Sequence, residues 1–113
     1  MEKEELEQLA RQVLEAYEKK DIVFFEAAFD DGVVLRDWNH EVLGKEAAIL
    51  EFKNNFDSAR TLKIDILQIY CSENRAAVEL QIEINKQERL NVIDVIGFNG
   101  GGQIFSIVAY KGL

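Results

Sequence analysis

The spacing of apolar side chains changes period along the chain, and each change predicts a different element. From Glu4 to Lys20, Leu6, Leu9, Val13, Ala16 and Tyr17 recur at steps of three and four among Glu, Gln, Lys and Arg. That is the buried stripe of an amphipathic helix. A second, short helix carries Ile22, Phe25, Ala28 and Phe29, with Asp21 placed to cap its start and the turn formers Asp30-Asp31-Gly32 placed to end it. A third helix follows Gly44, where Ile49, Phe52 and Phe56 fall on one face.

Elsewhere the period is two. Between the second and third helices, Val33, Leu35 and Asp37 share one face of a strand, and Val34, Arg36 and Trp38 share the other. After Phe56, Leu62, Ile64 and Ile66 alternate, then Leu67 and Ile69 switch phase, as at a bulge or bend. Val78, Leu80, Ile82 and Ile84 oppose Glu79, Gln81, Glu83 and Asn85, the mark of an antiparallel strand with one wet face, and Asn85-Lys86-Gln87 reads as the following turn. Two last strands, about Leu90 to Phe98 and Ile104 to Lys111, flank Asn99-Gly100-Gly101-Gly102 and form a hairpin. Helix, helix, strand, helix and four strands predict an α+β fold, with three N-terminal helices on one face of a strongly bent, mainly antiparallel sheet. No repeat, proline or linker-like stretch divides the chain, so residues 1–113 read as a single domain.

Composition narrows the function. Thirteen Lys and Arg stand against 21 Asp and Glu, a net charge of −8, and no basic cluster offsets it, which excludes nucleic acid as a partner. No apolar run reaches the roughly 20 residues of a membrane span, and Met1-Glu2-Lys3-Glu4-Glu5 lacks the pattern of a secretory signal, so the expected location is the cytoplasm, away from membranes. One Cys and one His exclude an internal disulfide, a thiolate metal site and a zinc module.

Two charges break the apolar alternation. Asp37 extends the face of Val33 and Leu35, and Asp94 sits between Val92 and Ile96 on the face of Leu90 and Phe98. An isolated carboxylate on a core face is costly, so an acid there calls for a reason. One reason is a pocket in which surroundings drive the two pKa values apart, leaving one acid as a base and the other as a donor. The alternative is structural: Asp37 caps the loop Trp38-Asn39-His40, and Asp94 pairs with Arg75, Arg89 or Lys111 across neighbouring strands.

Several blocks carry a family resemblance: Lys20-Asp21-Ile22 through Ala28-Phe29-Asp30-Asp31, Val34-Leu35-Arg36-Asp37, Gly44 through Ile49, Val92-Ile93-Asp94-Val95-Ile96-Gly97-Phe98-Asn99, and Gly102-Gln103-Ile104 through Ala109-Tyr110. Through them the chain resembles the ketosteroid isomerase and SnoaL-like polyketide cyclase group of the nuclear-transport-factor-like fold. The resemblance implies a curved, mixed sheet closing a cone-shaped apolar cavity, no metal, no organic cofactor and a homodimer packed through the outer sheet face. By position, Asp37 matches the isomerase base and Asp94 matches the protonated acid that donates to the developing enolate. The candidates to line that cavity are Tyr17, Phe29, Trp38, Phe52, Phe56, Val92, Ile96 and Ile107, although core packing alone also explains Tyr17 and the phenylalanines. Val13 stands where the isomerases carry an oxyanion tyrosine, Lys53 where they often place a second tyrosine, and Trp38 where a proline often follows the base. Those departures bring the chain closer to the cyclase members.

The remaining candidates read as structure: His40 in a solvated loop, Trp38 turned outward to the cavity rim or a dimer contact, Cys71 as a small buried hydrophobe, and Gly100-Gly101-Gly102 as a turn without the helix a phosphate loop needs. Two functions follow. One is a cofactor-independent isomerase or cyclase moving a proton beside a carbonyl of an apolar, ring-containing ligand; the other is a non-catalytic ligand-binding or dimerisation module. Epoxide or lactone hydrolysis is disfavoured because Arg36 faces outward.

Overall fold

The computed structural model describes residues 1–112. In chain order they form α1 (Lys3–Glu18), α2 (Ile22–Ala28), β1 (Phe29–Arg36), β2 (Glu41–Leu43), α3 (Lys45–Ser58), β3 (Leu62–Ser72), β4 (Arg75–Ile84), β5 (Glu88–Phe98) and β6 (Ile104–Lys111). The six strands make one sheet in the order β2-β1-β6-β5-β4-β3. Every neighbouring pair is antiparallel except β1 with β6, so the sheet is mixed and the class is α+β.

Local chemistry sets the helix limits. The Asp21 carboxylate accepts the Phe24 N–H at 3.1 Å, satisfying a donor that the first turn of α2 leaves unpaired. Gly44 opens α3 at φ +92°, a backbone angle that L side chains rarely adopt. α1 buries Leu6, Ala10, Val13, Leu14 and Ala16, and α3 buries Ala48, Phe52 and Phe56. Phe52 is the hub of an aromatic cluster, with ring centroids 5.0 Å from Tyr17, 4.8 Å from Phe25 and 5.4 Å from Phe29. Its mainly edge-on geometries suit the charge distribution of aromatic rings.

The sheet bends where its pairing slips. The register shifts between Ile66 and Gln68 in β3, at the predicted phase switch, and again between Gly97 and Phe98 in β5. Each irregularity adds local curvature, which turns the inner face into a concave wall.

Three expectations need correction. Phe29 is the first residue of β1, not the last of a helix: its backbone is extended and it pairs with Ile104. Asp30-Asp31-Gly32 does not end an element but runs through β1. Its turn chemistry survives as an Asp30 carboxylate accepting the Gly32 N–H at 2.9 Å, and the pairing with β6 slips between Phe29 and Val34 there. β2 was not foreseen, because three residues give too short an alternation to stand out; it is held by pairing to Val34, Leu35 and Arg36. No helix among the described residues is long and apolar enough to cross a membrane.

Candidate active site

The concave face of the sheet, α1 and α3 enclose a cavity of about 510 Å³. Its wall is largely apolar, built by Val13 and Leu14 of α1, Phe52 of α3 and Ile64, Leu80, Ile82, Leu90 and Val92 of the sheet. Such a volume with a few convergent polar groups is typical of a small-molecule site.

Asp94 is the polar group furthest from its usual behaviour. Strand alternation aims it inward with Val92 and Ile96, and it pairs in register with Val78 and Ala109. Its carboxyl lines the cavity and has no hydrogen-bond or ion-pair partner among the described residues. The cations that could have paired with it are engaged elsewhere. Arg75 reaches Ser106 and lies over the Phe105 ring, Arg89 pairs with Glu83, and the Lys111 ammonium sits 5.8 Å from the Trp38 ring centroid. With no charge to compensate, burial alone pushes its pKa up to about 7.

Asp37 stands just beyond β1, on the cavity wall but partly open to water. Its Oδ1 accepts the backbone N–H groups of Asn39 at 2.7 Å and His40 at 3.0 Å. The capping role expected as an alternative is therefore real, and it coexists with a place in the cavity. Oδ2 carries no hydrogen bond among the described residues and is left for a ligand.

Tyr17 supplies a hydroxyl. Asn55 Nδ2 donates to its phenol oxygen at 3.2 Å, which leaves the phenol proton free to donate into the cavity. Burial, then the charges of Asp94, Glu51 and Asp37, raise its pKa to about 12, so it stays protonated.

Of the residues expected to line the cavity, Asp37, Asp94, Tyr17, Trp38, Phe52, Val92 and Ile107 do so. Phe29, Phe56 and Ile96 do not: they are buried in the core behind the wall, where Phe29 and Phe56 pack on Phe52. Trp38 is 45% exposed at the rim, and Leu35, Arg36, Asp37 and Trp38 all line the cavity in succession, so the outward facing expected of Arg36 and Trp38 does not hold where β1 ends. Cys71 is half-buried on β3.

Lys53 is exposed and does not line the cavity. Glu51 and Asn55, one turn apart, face the cavity together with Phe52 and Ser58 of the same helix. Sequence reasoning passed over both, although their i, i+4 spacing with Phe52 between them marks a polar seam beside an apolar stripe. His40 lies in the exposed loop expected for it, and the loop also brings it to the cavity mouth. Its ring lines the cavity, with Nε2 2.5 Å from Glu51 Oε2 and Nδ1 3.6 Å from Asp37 Oδ1.

Comparison with known proteins gives the same architecture. The sequence model described as the SnoaL-like domain matches residues 10–107. No curated protein matches the chain. Among solved structures, the epoxide hydrolase/cyclase-like enzyme SalBIII, described for pyran ring formation in polyether salinomycin, superposes with a TM-score of 0.85 at 16% identity, covering 99% of this chain and 94% of that one. A candidate SnoaL-like polyketide cyclase from Shewanella denitrificans OS-217 gives 0.85 at 11% identity, covering 95% and 90%. A candidate ketosteroid isomerase from Kribbella flavida DSM 17836 gives 0.84 at 13%, covering 97% and 79%. At these identities the likeness shows the fold alone.

Proposed function

The chain belongs to the SnoaL-like domain family, and from that premise we propose that it is an isomerase or cyclase acting by proton transfer beside a carbonyl of an apolar, ring-containing ligand. The observation that carries this reading is Asp94, a carboxyl without a partner on the wall of an apolar cavity, where burial raises its pKa to about 7 and keeps a large protonated fraction near neutral pH. A neutral carboxylic acid can donate a hydrogen bond to a carbonyl oxygen as negative charge develops there. Asp37 Oδ2 takes the proton from the adjacent carbon, and the enolate formed is held by Asp94 and the Tyr17 hydroxyl. Each of these steps is performed by the chain's own side chains.

Tyr17 lies one helical turn from Val13, so the donor sits at a different depth from the tyrosine of the isomerases that the chain resembles. A ligand whose carbonyl reaches that depth is favoured over a ketosteroid. Leu67, Tyr70, Ile93 and Tyr110 stay exposed, and the latter three project from the outer sheet face, which supports a homodimer through that surface. The apolar Val13 at the usual donor position favours a second reading, a cavity that binds ligand without turning it over.

Conversion of the β,γ isomer of cyclohexenone to its conjugated isomer, followed by the rise in ultraviolet absorbance, tests the reading. Protein-dependent conversion that falls by roughly a hundredfold in Tyr17→Phe is expected, since one oxyanion donor is lost. Binding of cyclohexanone without any conversion of the unsaturated ketone would favour the binding module.

A further inference from the structure

The mouth of the cavity holds a group that this scheme leaves unused. His40 lies between two carboxylates that come from different elements, Asp37 at the end of β1 and Glu51 on α3. Its Nε2 is 2.5 Å from Glu51 Oε2, and its Nδ1 is 3.6 Å from Asp37 Oδ1. The loop between β1 and β2 fixes that arrangement. Asp37 N–H donates to the His40 carbonyl at 3.0 Å, while His40 N–H returns a hydrogen bond to the Asp37 carboxylate. The ring is 45% exposed and so meets water on one side and the candidate base on the other.

We propose that His40, oriented by Glu51, is a proton relay that connects Asp37 to bulk water. This inference rests on Asp37 being the base of the proposed reaction. With Nε2–H donated to Glu51, the Nδ1 lone pair faces the Asp37 carboxyl, 3.6 Å from Oδ1, and one bridging water carries the proton to it from Oδ2. After Asp37 has taken a proton from the ligand, its O–H bond breaks as Nδ1 forms an N–H bond, giving an imidazolium between two carboxylates. Water then takes that proton from Nδ1, which restores the neutral ring and leaves Asp37 as a carboxylate. A solvent proton then returns by the same path, from water to Nδ1 and from Nδ1 to Asp37, which delivers it to the other carbon of the enolate; no electrons are exchanged, and one proton of the ligand has been replaced by one from solvent.

The electrostatics suit the role. The hydrogen bond to Glu51, then the charges of Glu51 and Asp37, raise the His40 pKa, so the imidazolium formed in the relay is stabilised. These two carboxylates are the charged groups that act on the ring. A single carboxyl working alone would return the same proton to the ligand; a base wired to water exchanges it first.

Two measurements decide the proposal. His40 is the only histidine, so its ring resonances identify themselves in an NMR pH titration of the free protein. The midpoint is expected to fall in both Glu51→Gln and Asp37→Asn; a midpoint that stays in place in either variant overturns the relay. In heavy water, the conjugated cyclohexenone formed by the wild type is expected to carry deuterium at the newly protonated carbon. His40→Gln is expected to retain severalfold more of the original protium, counted per product molecule so that any change in rate drops out. Equal deuterium content in the two proteins overturns the relay and leaves the proposed function standing. Absence of turnover by the wild type counts against the proposed function, and the titration then decides the His40 contacts by themselves.

Discussion

Asp37→Asn is expected to lower the conversion rate of the β,γ isomer of cyclohexenone by roughly a thousandfold, the scale of a lost general base. The substitution keeps the shape of the side chain, and its amide oxygen still accepts the N–H groups of Asn39 and His40 that close the loop. What it removes is the proton-accepting Oδ2 on the cavity wall. Ligand binding is therefore expected to survive, and Trp38, the only tryptophan, reports it by fluorescence from the cavity rim. Loss of turnover with intact binding of cyclohexanone separates a chemical role from a structural one. Turnover within a few-fold of wild type would remove Asp37 as the base.

Asp94→Asn is expected to change stability with a distinctive pH dependence. The folded state raises the Asp94 pKa from 3.8 to about 7, because burial penalises the ionised form. The folded chain therefore binds this proton more tightly than the unfolded chain. Its contribution to stability is fully present below the unfolded value near 3.8 and declines as pH rises, and it is lost once pH passes the folded value near 7. A shift of this size corresponds to roughly 4 kcal/mol. A neutral amide avoids that cost. Urea unfolding is expected to find Asp94→Asn more stable than wild type at pH 8, by up to roughly that amount, with the difference shrinking toward pH 4. An Asn variant that is less stable at pH 8 would mean that the ionised carboxylate has a partner in the folded protein.

How far the sequence led differed between the fold and the site. Alternation along Val78 to Asn85, and the phase switch after Ile66, were enough to draw the sheet and even its bulge, because strand geometry transmits burial directly to every second residue. The facing of Asp94 was legible for the same reason, whereas Asp37 lies past the end of β1, where consecutive residues line the cavity and alternation no longer decides. Phe29 was misread because a short helix can hand its last aromatic to a strand without any turn between them, and Asp30-Asp31-Gly32 carries turn chemistry wherever it sits. Glu51, Asn55 and the partners of His40 were not legible for a deeper reason. Their roles depend on contacts at separations of 11 residues for His40 with Glu51 and 38 for Asn55 with Tyr17, which no local period encodes. The depth of the wall had the same limit: Phe56 and Ile96 share faces with cavity residues, and only the packing of α3 on the sheet shows that they stand behind them.

The proposed chemistry needs a cavity carboxyl whose proton burial retains to near pH 7. Carbon-detected NMR of the side-chain carboxyls, titrated with pH in the free protein, measures this directly. An Asp94 midpoint near 7 is expected. A midpoint close to the ordinary carboxylate value of about 4 would contradict it, because the cavity would then solvate Asp94 and leave no neutral acid to support an enolate.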